Sequence, residues 1–519
     1  MRLLALTILG SALLLSVIYG GFIAGIVFRE PDVCFLLAMG RWIVNHGQIP
    51  LVDPFSYTYS VFPNGNAYVV YQWLYEILIY SVQAVFGLIA LLVFTAIVLS
   101  ITFIVMPMRL FAIGGGNLVL GSFITVLVML GTLSHLSVRP ELFSFLFTAV
   151  VLELLARLSG RQSLTSIDWR FVGVLFLLVV LWTNLHCLFI FYFVLVGFFA
   201  LCLGAYSLVT REALDGRFKS ASAAVVAGAL ATMINPYGIT IWPFTFCMLT
   251  DPINKTINEL RPISTAVFKN VLDYPWLLLA FVALVVFIFS LRKKIESGSQ
   301  LYFLLLIPAA ISMSLLAVRT FPLAALLMCC GLAFSPILRL ADGRLDRLSK
   351  QCLIAIAPLG LWWFLSVCTF GGFGAYILAA HVVPPTIPEG SAAFHPPFDA
   401  IEHLEKLSAE SQPKGNMLND SHYGAVMMWQ MKNPPKVFVD PRYFLYNVPL
   451  MNDYWDMVLY RNKPEALLDK YKISWVFVPA STALARELST QPSWHVLYSD
   501  KDAAIITREK WQKDDRLLP

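Results

Sequence analysis

"FREPDVCFLLAMGRW", residues 28–42, decides how this chain is read. It follows "MRLLALTILGSALLLSVIYGGFIAGIVF", an apolar run long enough to cross a bilayer. Pro31 stands between Glu30 and Asp32 where such a helix should end, yet apolar residues resume at once. A second crossing does not fit. "DVCFLLAMGRWIVNHG" closes on His46–Gly47, a helix stop, well short of the roughly 20 residues a span requires. The segment is expected to be a helix lying along the membrane surface, with two carboxylates at its start.

The whole chain supports a membrane context. Of 519 residues, 58% are hydrophobic and 13% charged, with a mean hydropathy of +0.72. A water-soluble protein of this length needs far more polar residues to cover its surface, so a multi-span membrane protein is expected. The net charge of +5 is spread over loops, which suits membrane orientation and argues against a nucleic-acid partner. The opening run exceeds the apolar core of a signal peptide and is expected to be a retained first helix. The eight cysteines lie almost entirely in apolar segments without metal-ligand spacing, as buried small hydrophobes do.

About eleven spans fit, at 5–27, 86–107, 117–134, 141–158, 171–185, 187–208, 220–235, 275–291, 300–317, 321–338 and 352–378. The 171–208 stretch reads as two short spans broken near Asn184–His186. With the N-terminus in the cytoplasm, inner loops hold fifteen Lys and Arg against seven in outer loops before the tail. That asymmetry places Glu30, Asp32 and the C-terminal tail on the outer face.

The expected division is a membrane domain over 1–380, with a first outer loop at 28–85, and a small α/β domain over 381–519. In the loop, "YQWLYEILIYSVQAVFG" ends at Gly87 as a second surface helix, and Asp53–Pro54 and Asn64–Gly65 mark turns. In the tail, "GNMLND", "PKVFVDPR", "ISWVFVP", "WHVLYSD" and "DAAIITR" read as short strands. "PEALLDKY" and "STALAREL" read as helices between them.

Ionisable residues at a membrane rim are costly and are functional candidates for that reason. Glu30 and Asp32 suit a general base toward an acceptor, or a divalent cation site (Mg or Mn). Their other use is to cap the helix that follows. Asp53, Gln72 and Glu76 lie in the same loop. Arg139, Asn184, His186, Asn235 and Arg319 end spans on the same side. The arginines and the histidine suit a phosphate whose lipid tail stays in the bilayer; snorkelling is the alternative for each arginine. Asp440 and Arg442, just after an expected strand, suit an acceptor contact or an ion pair that pins the loop. No P-loop, dinucleotide fingerprint, nucleophile elbow or zinc motif occurs.

The order "EPDVCFLLAMGRWIVNHGQIPLVDPFSYT", "YQWLYE", "VRPELFSF", "WTNLHC", "INPYG", "VRTFP" and "VFVDPRYFLY" resembles a group of bacterial polytopic proteins similar to the GT-C glycosyltransferases. Relatives include protein O-mannosyltransferases, the aminoarabinose transferase of lipid A and oligosaccharyltransferase catalytic subunits. The resemblance implies a GT-C fold in a bacterial inner membrane with a periplasmic C-terminal domain. It implies a polyprenyl-phosphate sugar as donor, an acceptor that is a glycan, lipid or protein, and inversion at the anomeric carbon. The catalytic acid of the first outer loop falls on Glu30 or Asp32. The chain departs from the group at Val33–Leu36, where a Trp-rich stretch with a histidine is usual. A flippase or exporter of lipid-linked sugars, or a non-catalytic scaffold for envelope polysaccharide assembly, are the alternatives.

Overall fold

The computed structural model describes residues 31–61, 68–116, 118–132, 137–161, 164–252, 254, 274–340, 396–408 and 410–508. Glu30, the spans expected at 5–27 and 352–378, and the Asn64–Gly65 turn lie outside the described residues. The chain forms two compact units. The first comprises Met1–Ala24, Ile89–Ile241 and Ile257–Thr386; the second comprises Gly25–Leu88, Trp242–Thr256 and Ile387–Pro519.

The described part of the first unit is helical. Val93–Gly114, Glu141–Ser159, Cys187–Thr210 and Gly298–Leu316 are long and apolar enough to cross a membrane. Leu120–Thr132, Trp169–Leu185, Tyr274–Ser290 and Val318–Ala333 are apolar but shorter. Large apolar side chains such as Leu201, Leu208, Val209, Phe281 and Leu316 face outward, more than half exposed. Such a surface suits lipid rather than water. Helices start where the sequence supplies caps: Asp168 accepts from the backbone N–H groups of Arg170 and Phe171, and Asp215 from those of Arg217 and Phe218. The chain breaks at His186, whose backbone is extended (φ −162°, ψ 145°), as the sequence led us to expect. Small residues let helices approach closely. A Cβ on Gly228 would come within 2.4 Å of the Tyr192 ring, whose hydroxyl donates to the Ala224 carbonyl at 2.7 Å.

In the second unit, Pro31–His46 is a helix. It stops because Gly47 adopts φ +65° and donates its N–H to the Ile43 carbonyl. The helix Trp73–Ser100 is broken at Gly87 (φ 81°, ψ 178°), a conformation that only glycine takes readily. Both helices expected between residues 28 and 87 are therefore present.

Four strands form one mixed sheet: β1 (Asn416–Asn419), β2 (Ile473–Pro479), β3 (His495–Ser499) and β4 (Ala503–Thr507), in the order β1-β2-β4-β3. β1 and β2 are parallel and the other pairs antiparallel. "PKVFVDPR" does not join the ladder, contrary to expectation. Prolines at 434, 435 and 441 bracket it and remove donors. Val437 instead makes one isolated bridge to Ser56, donating to the Phe55 carbonyl and accepting from the Tyr57 N–H. On its other side the Asn419 carboxamide does the work of a strand: its oxygen accepts from the Phe438 N–H at 2.7 Å and its nitrogen donates to the Val439 carbonyl at 2.8 Å. The core of this unit joins Leu418, Phe438, Tyr454, Val476 and Ile506 with Tyr59, from the Tyr57–Val61 helix. A further helix, Ile241–Thr250, was not expected; it is ten residues long with a proline in its first turn.

Candidate active site

In the second unit, Asp32 lies in the first turn of Pro31–His46, where the positive end of the helix favours a carboxylate. From Asp32 to Gly40, every residue except Asp32 and Cys34 is buried. The last residues of the helix, Val44, Asn45 and His46, are exposed. Gly40 admits the backbone of Trp73–Ser100, since a Cβ there would fall 2.1 Å from the Glu76 carbonyl oxygen. Arg41 donates to the Met428 and Met431 carbonyls at 2.7 and 3.2 Å and lies 5.1 Å from the centre of the Trp429 ring.

The same unit holds a buried charge cluster. Arg442, 5% exposed, grips Asp440 bidentately, Nε to Oδ1 at 2.9 Å and Nη2 to Oδ2 at 2.6 Å. Its Nη1 reaches Asp53 Oδ1 at 2.8 Å and the Tyr68 hydroxyl at 3.2 Å. The rings of Phe35 and Phe55 lie 5.8 and 5.7 Å from the guanidinium, within cation–π range. The remaining carboxylate positions are also occupied. Ser56 N–H and the Tyr68 hydroxyl donate to Asp53, and the Tyr446 hydroxyl donates to Asp440. Burial opposes the Arg442 charge, but Asp440 and Asp53 outweigh it and hold the guanidinium charged. Burial pushes Asp53 up against the pull of Arg442.

Gln72 and Glu76 form a pair, Nε2 to Oε1 at 3.1 Å. Glu76 Oε2 is buried with no hydrogen-bond partner among the described residues. Burial pushes this carboxyl up to about 8, against the Gln72 hydrogen bond and the Arg442 charge. It is therefore mostly protonated at neutral pH.

In the first unit, the start of Glu141–Ser159 gathers the other candidates. Glu141 is ion-paired with Arg319, and Arg139 lies two residues before it. One turn on, Ser144 Oγ lies 2.8 Å from His186 Nδ1 and accepts from Trp182 Nε1 at 2.8 Å. Asn184 donates to the Ile234 carbonyl at 2.8 Å. Asn235 is engaged in its own turn, donating to Thr232 and Gly238 and accepting from the Tyr237 N–H. About 18 Å along the same helix, Glu153 binds Arg109 and Arg157, so each end carries its own ionic cluster.

No known protein family matches the chain by sequence, and no curated protein matches it. Solved structures do. The archaeal oligosaccharyltransferase AglB from Archaeoglobus fulgidus, in complex with an inhibitory peptide and a dolichol-phosphate, aligns over 95% of this chain and 74% of its own. The TM-score is 0.54 at 11% identity. The likeness is one of fold: the chain shares the fold of this oligosaccharyltransferase. The A. fulgidus oligosaccharyltransferase tethered to an acceptor peptide containing the NVT sequon aligns over 93% of this chain and 70% of its own, with a TM-score of 0.55 at 10% identity. Its complex with Zn and sulfate gives a TM-score of 0.50 over 95% and 73% of the two chains, at 12% identity.

Glu141, Ser144 and Trp182 stand inside the motifs quoted above, as do Phe35, Phe55 and Tyr446, but none of the six was singled out there. Glu141 carried the clearest signal, as an acid beside Arg139 in "VRPEL". An aromatic ring or a hydroxyl in an apolar sequence gives none until its partner is known.

Proposed function

We propose that this chain is an integral-membrane glycosyltransferase that moves a sugar from a polyprenyl-phosphate donor to an acceptor on the outer face of a bacterial inner membrane. The observation that carries this is Asp32, which stays half-buried in the first turn of a helix whose residues from Phe35 to Gly40 are all buried. The fold shared with an oligosaccharyltransferase supports the reaction class, and its complex with dolichol-phosphate supports the donor class.

In this scheme Asp32 takes the proton of the acceptor as general base, with Glu30 assisting. The acceptor attacks the anomeric carbon, and the carbon–oxygen bond to phosphate breaks with its electron pair passing to the phosphate. The departing lipid phosphate gains one negative charge. Arg139, His186 and Arg319 hold it and stabilise that charge, with Glu141 and Ser144 orienting two of them. Gln72 and Glu76, in the same unit as Asp32, are assigned to the sugar and acceptor pocket. Among the described residues no group of three or more His, Cys, Asp or Glu side chains converges on a metal position.

Purified protein incubated with a panel of polyprenyl-phosphate sugars is expected to release lipid phosphate, read by mass spectrometry. Asp32→Asn should lower turnover at least about 10²-fold with the fold intact. Full activity in that variant sinks the assignment of Asp32. No turnover by wild type with any donor shifts the function to a scaffold or flippase.

A further inference from the structure

We propose that Arg442 is a positioning residue for Asp32, acting through the ring of Phe35; this rests on Asp32 being the general base.

Phe35 follows Asp32 by three residues on the same helix, so the two side chains are one turn apart on neighbouring faces. The Phe35 ring is buried and lies 5.8 Å from the Arg442 guanidinium. That guanidinium cannot shift freely. Both oxygens of Asp440, one of Asp53 and the Tyr68 hydroxyl fix its plane, and the Phe55 ring lies 5.7 Å from it. A planar cation held at every edge is a rigid wall for the ring that packs on it. The start of the Pro31–His46 helix, and the carboxylate on it, is thereby indexed to the chain at 440–442.

A second contact set agrees with this. Arg41, toward the C-terminal end of Pro31–His46, binds carbonyls at the C-terminal end of Ser421–Gln430. The Tyr443 hydroxyl lies 2.8 Å from Ser421 Oγ, at the other end of that helix. Burial pushes the Tyr443 phenol up, and the carboxylates of Asp420 and Asp32 add to the effect. Arg442 itself is buried and saturated. Its charge serves geometry rather than substrate contact.

The experiment compares Phe35→Leu, Phe35→Tyr and Phe55→Leu in the full-length purified protein, reading kcat, donor KM and melting temperature. Phe35→Leu is expected to lower kcat about tenfold with donor KM unchanged, since small misplacement of a catalytic group is costly. Phe35→Tyr, which keeps the ring, should match wild type. Phe55→Leu removes the other ring beside Arg442, one that is not on the helix of Asp32, and should lower the melting temperature comparably while kcat stays within about twofold. Should Phe35→Leu not fold, Phe35→Met replaces the ring with an unbranched chain and carries the same expectation. A wild-type kcat in Phe35→Leu or Phe35→Met, or an equal loss in Phe55→Leu, overturns the proposal. Asp32→Asn separates the two ideas: if it is inactive while the Phe35 variants are unimpaired, the base stands and the positioning role falls. If Asp32→Asn is active, the assignment of the base falls instead.

Discussion

Arg319 in the first unit and Arg442 in the second are the same residue type in similar motifs, "VRTFP" and "DPRYF". Their surroundings differ sharply. Arg319 is ion-paired with one carboxylate, and a third of its side chain remains exposed. Arg442 is 5% exposed and faces two carboxylates, a tyrosine hydroxyl and two phenyl rings. A saturated buried guanidinium holds chain segments together. A partly exposed one presents an edge that an anion in solution can reach. The distinction is one of burial, which neighbouring sequence cannot report.

The largest effect should come from breaking the saturated site. Arg442→Met leaves Asp53 and Asp440 buried without their cation, which should cost about 3–5 kcal/mol of stability. Denaturation of the purified protein in detergent measures it. Adding Asp53→Asn and Asp440→Asn should recover part of the loss, because the penalty lies in the stranded charges. If Arg442→Met is no less stable than Arg319→Met, the contrast between the two arginines fails.

Glu76 sharpens the same contrast, because it is a buried carboxyl made neutral by a proton instead of a cation. Its folded value of about 8 lies above the ordinary 4.5. The protonated form is therefore favoured by folding, so its contribution is fully present below about pH 4.5 and is lost as pH rises through about 8. Wild type should lose stability relative to Glu76→Gln across that window, by roughly 2–4 kcal/mol at its upper end. Melting curves of both proteins from pH 5 to 9 test this. Parallel curves would mean that Glu76 is ionised throughout.

The sequence makes some of this architecture legible and hides the rest for physical reasons. The helix Pro31–His46 and the break at Gly87 are local events, set by apolar runs and by glycines at their ends. The sheet strands "ISWVFVP" and "DAAIITR" are likewise written as apolar runs bounded by turns. "PKVFVDPR" reads the same way, yet its ladder place is taken by the side chain of Asn419 and by residues 55–57. Strand membership depends on partners far along the chain, and an asparagine that imitates a strand leaves no periodic trace. The Arg442–Tyr68 contact spans 374 positions. No local pattern marks that tyrosine as part of a charge cluster. The pairing of Arg319 with Glu141 crosses the first unit in the same way, although both residues stand in quoted motifs.

That pairing gives the smallest and most discriminating test. Arg319→Lys keeps the positive charge but loses the planar fork that grips two phosphate oxygens at once. If Arg319 holds the lipid phosphate, donor KM should rise about tenfold, the scale of one charge-assisted hydrogen bond. Melting temperature should hardly move, since a partly exposed ion pair contributes little to stability. Glu141→Gln removes the opposing charge and leaves the fork, so donor KM should fall or stay level while kcat drops if orientation matters. Opposite signs of the KM change in the two variants identify the arginine as the anion ligand and the glutamate as its holder. A rise in both, tracking a loss of stability, would make the pair a structural staple like Arg442, and the contrast between the two units would reduce to one of exposure alone.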